Sequence, residues 1–207
     1  MILALVGGLL ALLAVIYFSM MIGAKNGAVE HEEKLKAAWG DVEVQLQRRM
    51  DLIPSLVETV KGAAQFERDT LEAVVQARAA AHQAKISLGS NGLPPEGEAM
   101  QRYMSAQNSL GGALSRLLVV AEKYPELKAT QSFQDLQNQL EGTENRIAQS
   151  RRSYNDAVRV FNTHVRKFPN SMFLSQEEFP VRSSFEAPVE AMEVPKVDFS
   201  SKPASND

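Results

Sequence analysis

No charged side chain occurs between Met1 and Ala24, and the first charge in the chain is Lys25. As a helix rising about 1.5 Å per residue, this run spans roughly 36 Å, enough to cross a hydrocarbon core of about 30 Å. Tyr17 falls toward the end of the run, where an amphipathic ring reaches the interface. The competing reading is a cleaved secretory signal. A signal would carry a basic n-region and an apolar stretch of only about 7–15 residues. Here there is no basic n-region, and Met20, Met21 and Ile22 directly precede the small pair Gly23-Ala24, which makes a poor cleavage site. The sequence therefore predicts a retained single-pass anchor over residues 1–24 of a bacterial cytoplasmic (inner) membrane protein. Lys25, Lys34 and Lys36 follow the span, and only the terminal amine precedes it. Positive-inside counting leans toward a cytoplasmic body. So short an N-terminal flank offers almost nothing to count, and both sides of the membrane stay open.

The remaining chain is helical in its periodicity. Apolar positions Leu35, Trp39, Val42, Leu46, Met50, Ile53, Val57, Val60, Ala64, Leu71 and Val75 advance almost entirely by three or four residues. They predict one long helix from about Val29 to Lys85, with a kink or short break near Asp51 imposed by Pro54. Gly89, Asn91, Gly92, Pro94 and Pro95 mark a loop over residues 86–97. A second helix, from about Glu98 to Lys123, carries Met100, Tyr103, Gln107, Leu110, Leu114, Leu117 and Ala121. Gly111-Gly112 inside it serves either a close helix–helix approach or a simple weak point. Tyr124-Pro125 ends it, because proline disfavours helix at the preceding residue. A third helix, from about Thr130 to Lys167, carries Phe133, Leu136, Leu140, Glu144, Ile147, Arg151, Tyr154, Val158, Phe161, Val165 and Phe168. The expected fold is all-α: an anchor followed by an elongated antiparallel bundle over residues 25–170, of three long helices, or four if the first breaks at Pro54. Residues 171–207 read as an extended tail, packed through Phe173, Leu174, Phe179 and Phe185 and disordered beyond about Val194.

Two blocks resemble the LemA family. The first, residues 38–62, contains Trp39, the stretch Gln45-Leu46-Gln47-Arg48-Arg49, and the run Asp51-Leu52-Ile53-Pro54-Ser55-Leu56-Val57-Glu58-Thr59-Val60-Lys61-Gly62. The second contains Tyr124-Pro125-Glu126-Leu127-Lys128-Ala129, the run Thr143-Glu144-Asn145-Arg146-Ile147-Ala148, and Tyr154-Asn155. Together they cover roughly residues 25–185. Met50 and Phe161 stand where that family often has tyrosine. The resemblance implies a single N-terminal span and a four-helix-type body. It implies little about function. Some members act in membrane-organelle assembly, and the family's genes often lie near those of membrane metallopeptidases.

Candidate chemistry centres on charges that fall on apolar stripes. Glu144 and Arg151 lie seven residues apart on one helix face, and a buried ion left unpaired costs several kcal/mol. We expect Glu144 to pair with Arg48 or Arg49, and Arg151 with Glu58 or Asp51. Such a network either fixes helix register or binds a polar ligand. Trp39, Pro54, Tyr124 and Tyr154 are expected core anchors. His31, His82 and His164 are isolated in sequence, with no metal-ligand spacing, and cysteine is absent. No nucleophile elbow, phosphate loop, zinc-protease or dinucleotide fingerprint occurs. A net charge of −3 gives no basic field for nucleic acid. The expectation is a non-enzymatic interaction or scaffold protein, without cofactor, metal or small-molecule substrate, that binds a protein partner or itself. The rivals are an accessory or regulatory subunit of a membrane protease and, last, an enzyme using a Glu144/Arg151 pocket.

Overall fold

The computed structural model describes residues 1–62, 66–87 and 94–185. Helix α1 (Ile2–Lys61) is followed by α2 (Arg68–Ser87), α3 (Gly97–Ala121), the single turn α4 (Pro125–Lys128), α5 (Gln131–Arg166) and a 3-10 turn at Asn170–Met172. No strand occurs among the described residues. The N-terminal part of α1 is the one helix segment among them long and apolar enough to cross a membrane. Its large side chains from Ile2 to Phe18 stand out from the protein, unlike those of a core helix. From Ala24 onward the same helix enters the bundle.

Two antiparallel pairs, α1 with α5 and α2 with α3, lie against each other to form a four-helix body. The core along it falls into two clusters. A membrane-proximal cluster gathers around Trp39, Tyr103, Tyr154 and Phe161, and a distal one around Ile53, Leu56, Leu110 and Leu117. Trp39 and Tyr154 are the expected anchors, with ring centroids 5.5 Å apart. Tyr124 is half-buried and packs its ring on Phe66 at 4.9 Å. Pro54 is solvent-exposed and anchors no core.

The first long helix departs from its expected course. The chain does not break at Pro54; α1 runs through it, and the reversal comes after Lys61, so α2 is a separate helix rather than a continuation to Lys85. Val74, not Val75, faces inward on α2. A proline inside a helix removes the bond to the carbonyl four residues back, here that of Met50. Arg78 of α2 supplies the missing donor: its Nε bonds the Met50 carbonyl oxygen at 3.0 Å. Gly111-Gly112 also has a plain role. A Cβ on Gly111 would sit in ordinary contact with Arg49 Nη1 at 3.5 Å, and one on Gly112 would meet open space, so no close backbone approach depends on the pair.

The tail returns along the bundle to Phe185, with Leu174 and Phe179 buried and Phe173 and Phe185 packed against the core. The disorder expected beyond Val194, and Ala64 and residues 88–93 of the expected loop, lie outside the described residues.

The Arg78 contact makes a coupled prediction. Arg78→Met should cost about 1–2 kcal/mol, because it leaves the Met50 carbonyl without a donor. In a Pro54→Ala background the helix provides its own N–H, so the same substitution should cost less than half as much. Urea denaturation of the four chains of this cycle in mild detergent measures the difference. Equal costs in both backgrounds would remove the carbonyl-capping account.

Candidate functional site

The most buried charge among the described residues is Arg49, 3 % exposed, on the inner face of α1. Its position follows from the stripe: Leu46, Arg49, Met50 and Ile53 share one side of the helix. Nη1 donates to Glu144 Oε1 on α5 at 3.0 Å. Nη2 donates to the backbone oxygen of Gln107 on α3 at 2.9 Å and also to the Gln107 side-chain oxygen. One guanidinium thus ties three helices at one level. Gln107 is fully buried, whereas the Glu144 side chain is 48 % exposed. Glu144 therefore sits on the rim of the bundle, and its neighbour Thr143 takes the interior place, bonding its own backbone at Gln139.

Arg151 lies one level nearer the membrane. It makes no ion pair with Glu58 or Asp51, and the register explains why. Trp39 meets Tyr154 across the α1–α5 seam. Glu58 is then roughly 24 Å farther along α1 than the level of Arg151, and Asp51 about 14 Å. Asp51 instead accepts from Gln47 at 2.7 Å on the outer surface, Arg48 is exposed beside it, and Glu58 is exposed near the distal end. The Arg151 guanidinium lies over the Phe185 ring, 5.4 Å from its centroid. Burial and then the nearby Arg49 charge push its pKa down, while Glu144 opposes them. A groove of about 430 Å³ opens beside Glu144, lined also by Gly111, Leu114 and Leu140, but Arg151 is not part of it. The two charges share no cavity.

Two features escaped the sequence reading. The first is at the membrane-proximal end, where His31 and His164 are not isolated: their rings meet at 4.9 Å. His164 Nε2 is 2.9 Å from the Ala24 carbonyl oxygen, and a Cβ on Gly27 would collide with the His164 ring, so any larger residue there must displace the ring. Burial, followed by His164, lowers the His31 pKa from its ordinary 6.5; Lys34 and Lys167 act the same way and Glu30 opposes them. No group of three or more metal-ligating side chains forms among the described residues.

The second is a clamp on the tail. Asn162 donates to the Arg182 carbonyl and accepts from the Arg182 N–H, both at 2.9 Å. Asn155, seven residues earlier on α5, does the same for Phe185 at 3.1 and 2.8 Å. The two amides replace strand partners for an extended segment. Tyr154 donates to the Ser183 carbonyl at 3.2 Å, and burial pushes its phenol up to about 12, which keeps it a donor. Arg182 is 8 % exposed and pairs with Glu32 at 3.0 Å and with Glu96, fastening the tail to α1 and to the start of α3.

Arg49, Glu144, Arg151, Tyr154 and Asn155 fall within the motif blocks around Trp39–Gly62 and Tyr124–Asn155, and the family model of the LemA family matches residues 38–199. The chain belongs to the LemA family. The magnetosome protein MamQ 1 of Paramagnetospirillum magneticum is 26 % identical over 174 residues, covering 75 % of this chain and 62 % of its own length. MamQ of Magnetospirillum gryphiswaldense is 26 % identical over 168 residues with the same coverages. The protein LemA of Metamycoplasma hominis is 24 % identical over 153 residues, 74 % of this chain and 64 % of its own. The chain thus spans less than two thirds of the length of these relatives. LemA proteins are membrane-associated and are not a known enzyme family.

In this LemA protein the Arg49 node is asymmetric, and so should be its mutants. Arg49→Met leaves the buried Gln107 side-chain oxygen without its donor and should cost about 2–3 kcal/mol. Glu144→Gln removes only a half-exposed partner and should stay within about 1 kcal/mol. Urea midpoints measure both, and comparable losses would show that the ion pair, not the Gln107 bonds, carries the node.

The histidine pair predicts a pH dependence. The folded pKa of His31 lies below the unfolded one, so below about 6.5 the unfolded chain binds the proton first. Stability should fall as pH drops from 7 toward 5, and His31→Phe should flatten that slope. A wild-type slope unchanged in the variant would assign the loss to other groups.

Proposed function

We propose that this protein is a non-catalytic scaffold of the bacterial cytoplasmic membrane, which holds a binding surface for another protein at a fixed distance from the lipid. The observation that carries the reading is a cleft of about 790 Å³ at the distal end of the bundle, lined by Glu58, Thr59, Lys123, Tyr124, Glu126 and Leu127. Its walls come from the ends of the two motif blocks, Glu58–Gly62 and Tyr124–Leu127. Between Ala24 and Lys61 the unbroken α1 spans about 55 Å, so the cleft stands well clear of the headgroups. It combines an apolar floor with charges of both signs, as protein-binding surfaces do. The polar nodes elsewhere bind the bundle's own helices and tail, which supports a structural role for them. Relatives named as magnetosome proteins support membrane organisation as the setting. The basic residues following the span, Lys25, Lys34 and Lys36, favour the cytoplasmic side.

A photo-crosslinking amino acid at Glu126, in the cleft, and at Gln149, on the exposed face of α5, tests this in native membranes. We expect discrete adducts from Glu126 and none from Gln149. Adducts with further copies of the chain would make the scaffold self-assembling, and adducts with a membrane peptidase would make it that enzyme's accessory subunit. Indistinguishable labelling from both positions would overturn the distal-cleft reading.

A further inference from the structure

The end of α5 and the turn after it lie beside the membrane span, not above it. Phe173 packs its ring on Tyr17, with centroids 5.2 Å apart at 70°. Tyr17 is seven residues before Ala24 on α1, which puts it about 10 Å toward the bilayer centre from the point where the helix enters the bundle. The segment Phe168–Phe173 must therefore reach to the depth of the span. Its side chains suit that depth. Phe168 is 78 % and Met172 68 % exposed, the opposite of what the regular apolar stripe of α5 leads one to expect for Phe168. On its N-terminal side this apolar tip is flanked by cations, while Glu177 and Glu178 follow it. Arg166 and Lys167 immediately precede it, and with Arg159, Asn162 and Thr163 they line a concavity of about 480 Å³. Among the described residues, neither Arg166 nor Lys167 takes part in an ion pair, while Lys25 bonds Glu178 at 3.0 Å at the point where charge first appears on α1.

We propose that the turn Phe168–Phe173 is a second membrane contact, with Phe168 and Met172 inserted among the acyl chains next to the headgroups and Arg166 and Lys167 bound to phospholipid phosphates. The occupant is the bilayer that already holds α1, because the Tyr17–Phe173 contact joins the two apolar surfaces into one. Aromatic and thioether side chains below a pair of cations match the layered polarity of the interface, with hydrocarbon beneath and phosphodiester above. Guanidinium and ammonium groups there gain from anionic lipid. The span alone places the body at the membrane; this contact fixes which side of the body faces it.

The chain contains no cysteine, so a nitroxide can be attached at a single introduced thiol. The full-length protein carrying Met172→Cys, and separately Gln149→Cys on the exposed face of α5, is reconstituted into phosphatidylcholine vesicles with and without phosphatidylglycerol. We expect the label at 172 to collide more with dissolved oxygen than with a water-soluble nickel chelate, and the label at 149 to show the reverse ratio. Only lipid is present to shield the label. A label at 172 as open to the chelate as the one at 149 overturns the insertion. Phe168→Cys repeats the measurement at the other tip residue should the first variant lose its helical melting transition. Adding Arg166→Gln with Lys167→Gln should make the label at 172 shallower in phosphatidylglycerol vesicles and leave it unchanged in pure phosphatidylcholine. No change in either lipid would remove the phosphate contact and leave the apolar insertion to stand or fall on the oxygen ratio.

Discussion

A proline in the interior of a helix leaves one carbonyl without its donor and pushes the ring against it, at a cost of about 3 kcal/mol when nothing compensates. In α1 the freed carbonyl of Met50 is taken by the Arg78 guanidinium, and the rest of the structure depends on the result. Because the helix is not interrupted there, the element that emerges from the membrane is the same element that forms the central wall of the bundle. Helix α5 packs along it from Ala24 outward, and α2 is placed on it through Arg78 and through Lys85, which bonds Gln47 at 2.8 Å. A break at Pro54 would have separated the proximal core around Trp39 from the distal core around Ile53 and loosened both from the span.

The polar groups inside the bundle then set register rather than build a reactive pocket. Apolar seams of leucine and valine slide with little penalty, whereas a buried guanidinium has specific acceptors to satisfy. Arg49 meets Gln107 on α3 and Glu144 on α5 at one level, so a one-turn slip of α3 would leave the buried Gln107 side-chain oxygen without its donor, and a slip of α5 would leave the buried guanidinium without its carboxylate. The tail is registered in the same way. Asn155 and Asn162 are two turns apart on α5, and each offers one donor and one acceptor to the backbone of the extended segment. That spacing allows Phe185 to reach the ring of Trp39, with centroids 6.0 Å apart, and closes the proximal core with a residue far from it in sequence.

How far this was legible in the sequence depended on whether the controlling contact was local. The anchor, the helical periodicity and the stops at Tyr124-Pro125 and after Arg166 are local, and they emerged from charge spacing and proline alone. The reversal after Lys61 did not, since Val60, Ala64, Leu71 and Val75 advance by four, seven and four residues across it, whole helical turns that disguise two helices as one. In sequence Pro54 reads as the natural break, because Arg78, which neutralises its cost, lies on another helix. Glu144 stands out because it interrupts an apolar stripe, and sequence narrows its partner to Arg48 or Arg49 without choosing between them. The depth of Glu144 is not legible, because a stripe read from spacing alone does not resolve Thr143 from Glu144 at the boundary. The partners expected for Arg151 lie roughly two and a half and four and a half turns too far along α1, and the His31–His164 contact is invisible in sequence, for a single reason: both require the α1–α5 register, which long-range pairs such as Trp39 with Tyr154 establish. The asparagine pair on α5 did leave a signal, two amides seven residues apart on one face ahead of an extended tail.

The membrane geometry bears on what a scaffold of this kind gains from its architecture. A single span fixes a protein's height but leaves it free to rotate about the helix axis, and a partner must then wait for the right face or bind at any face. With α1 continuous into the bundle, height and tilt of the distal cleft are set by the helix itself. The proposed contact at Phe168–Phe173 removes the remaining rotation, because one edge of the body is held against the lipid. Ordering of that kind is completed when the protein enters the membrane, so it no longer opposes association with a partner. The aromatic contact between Tyr17 and Phe173 would then connect lipid depth to the direction in which the cleft faces, some tens of ångströms away.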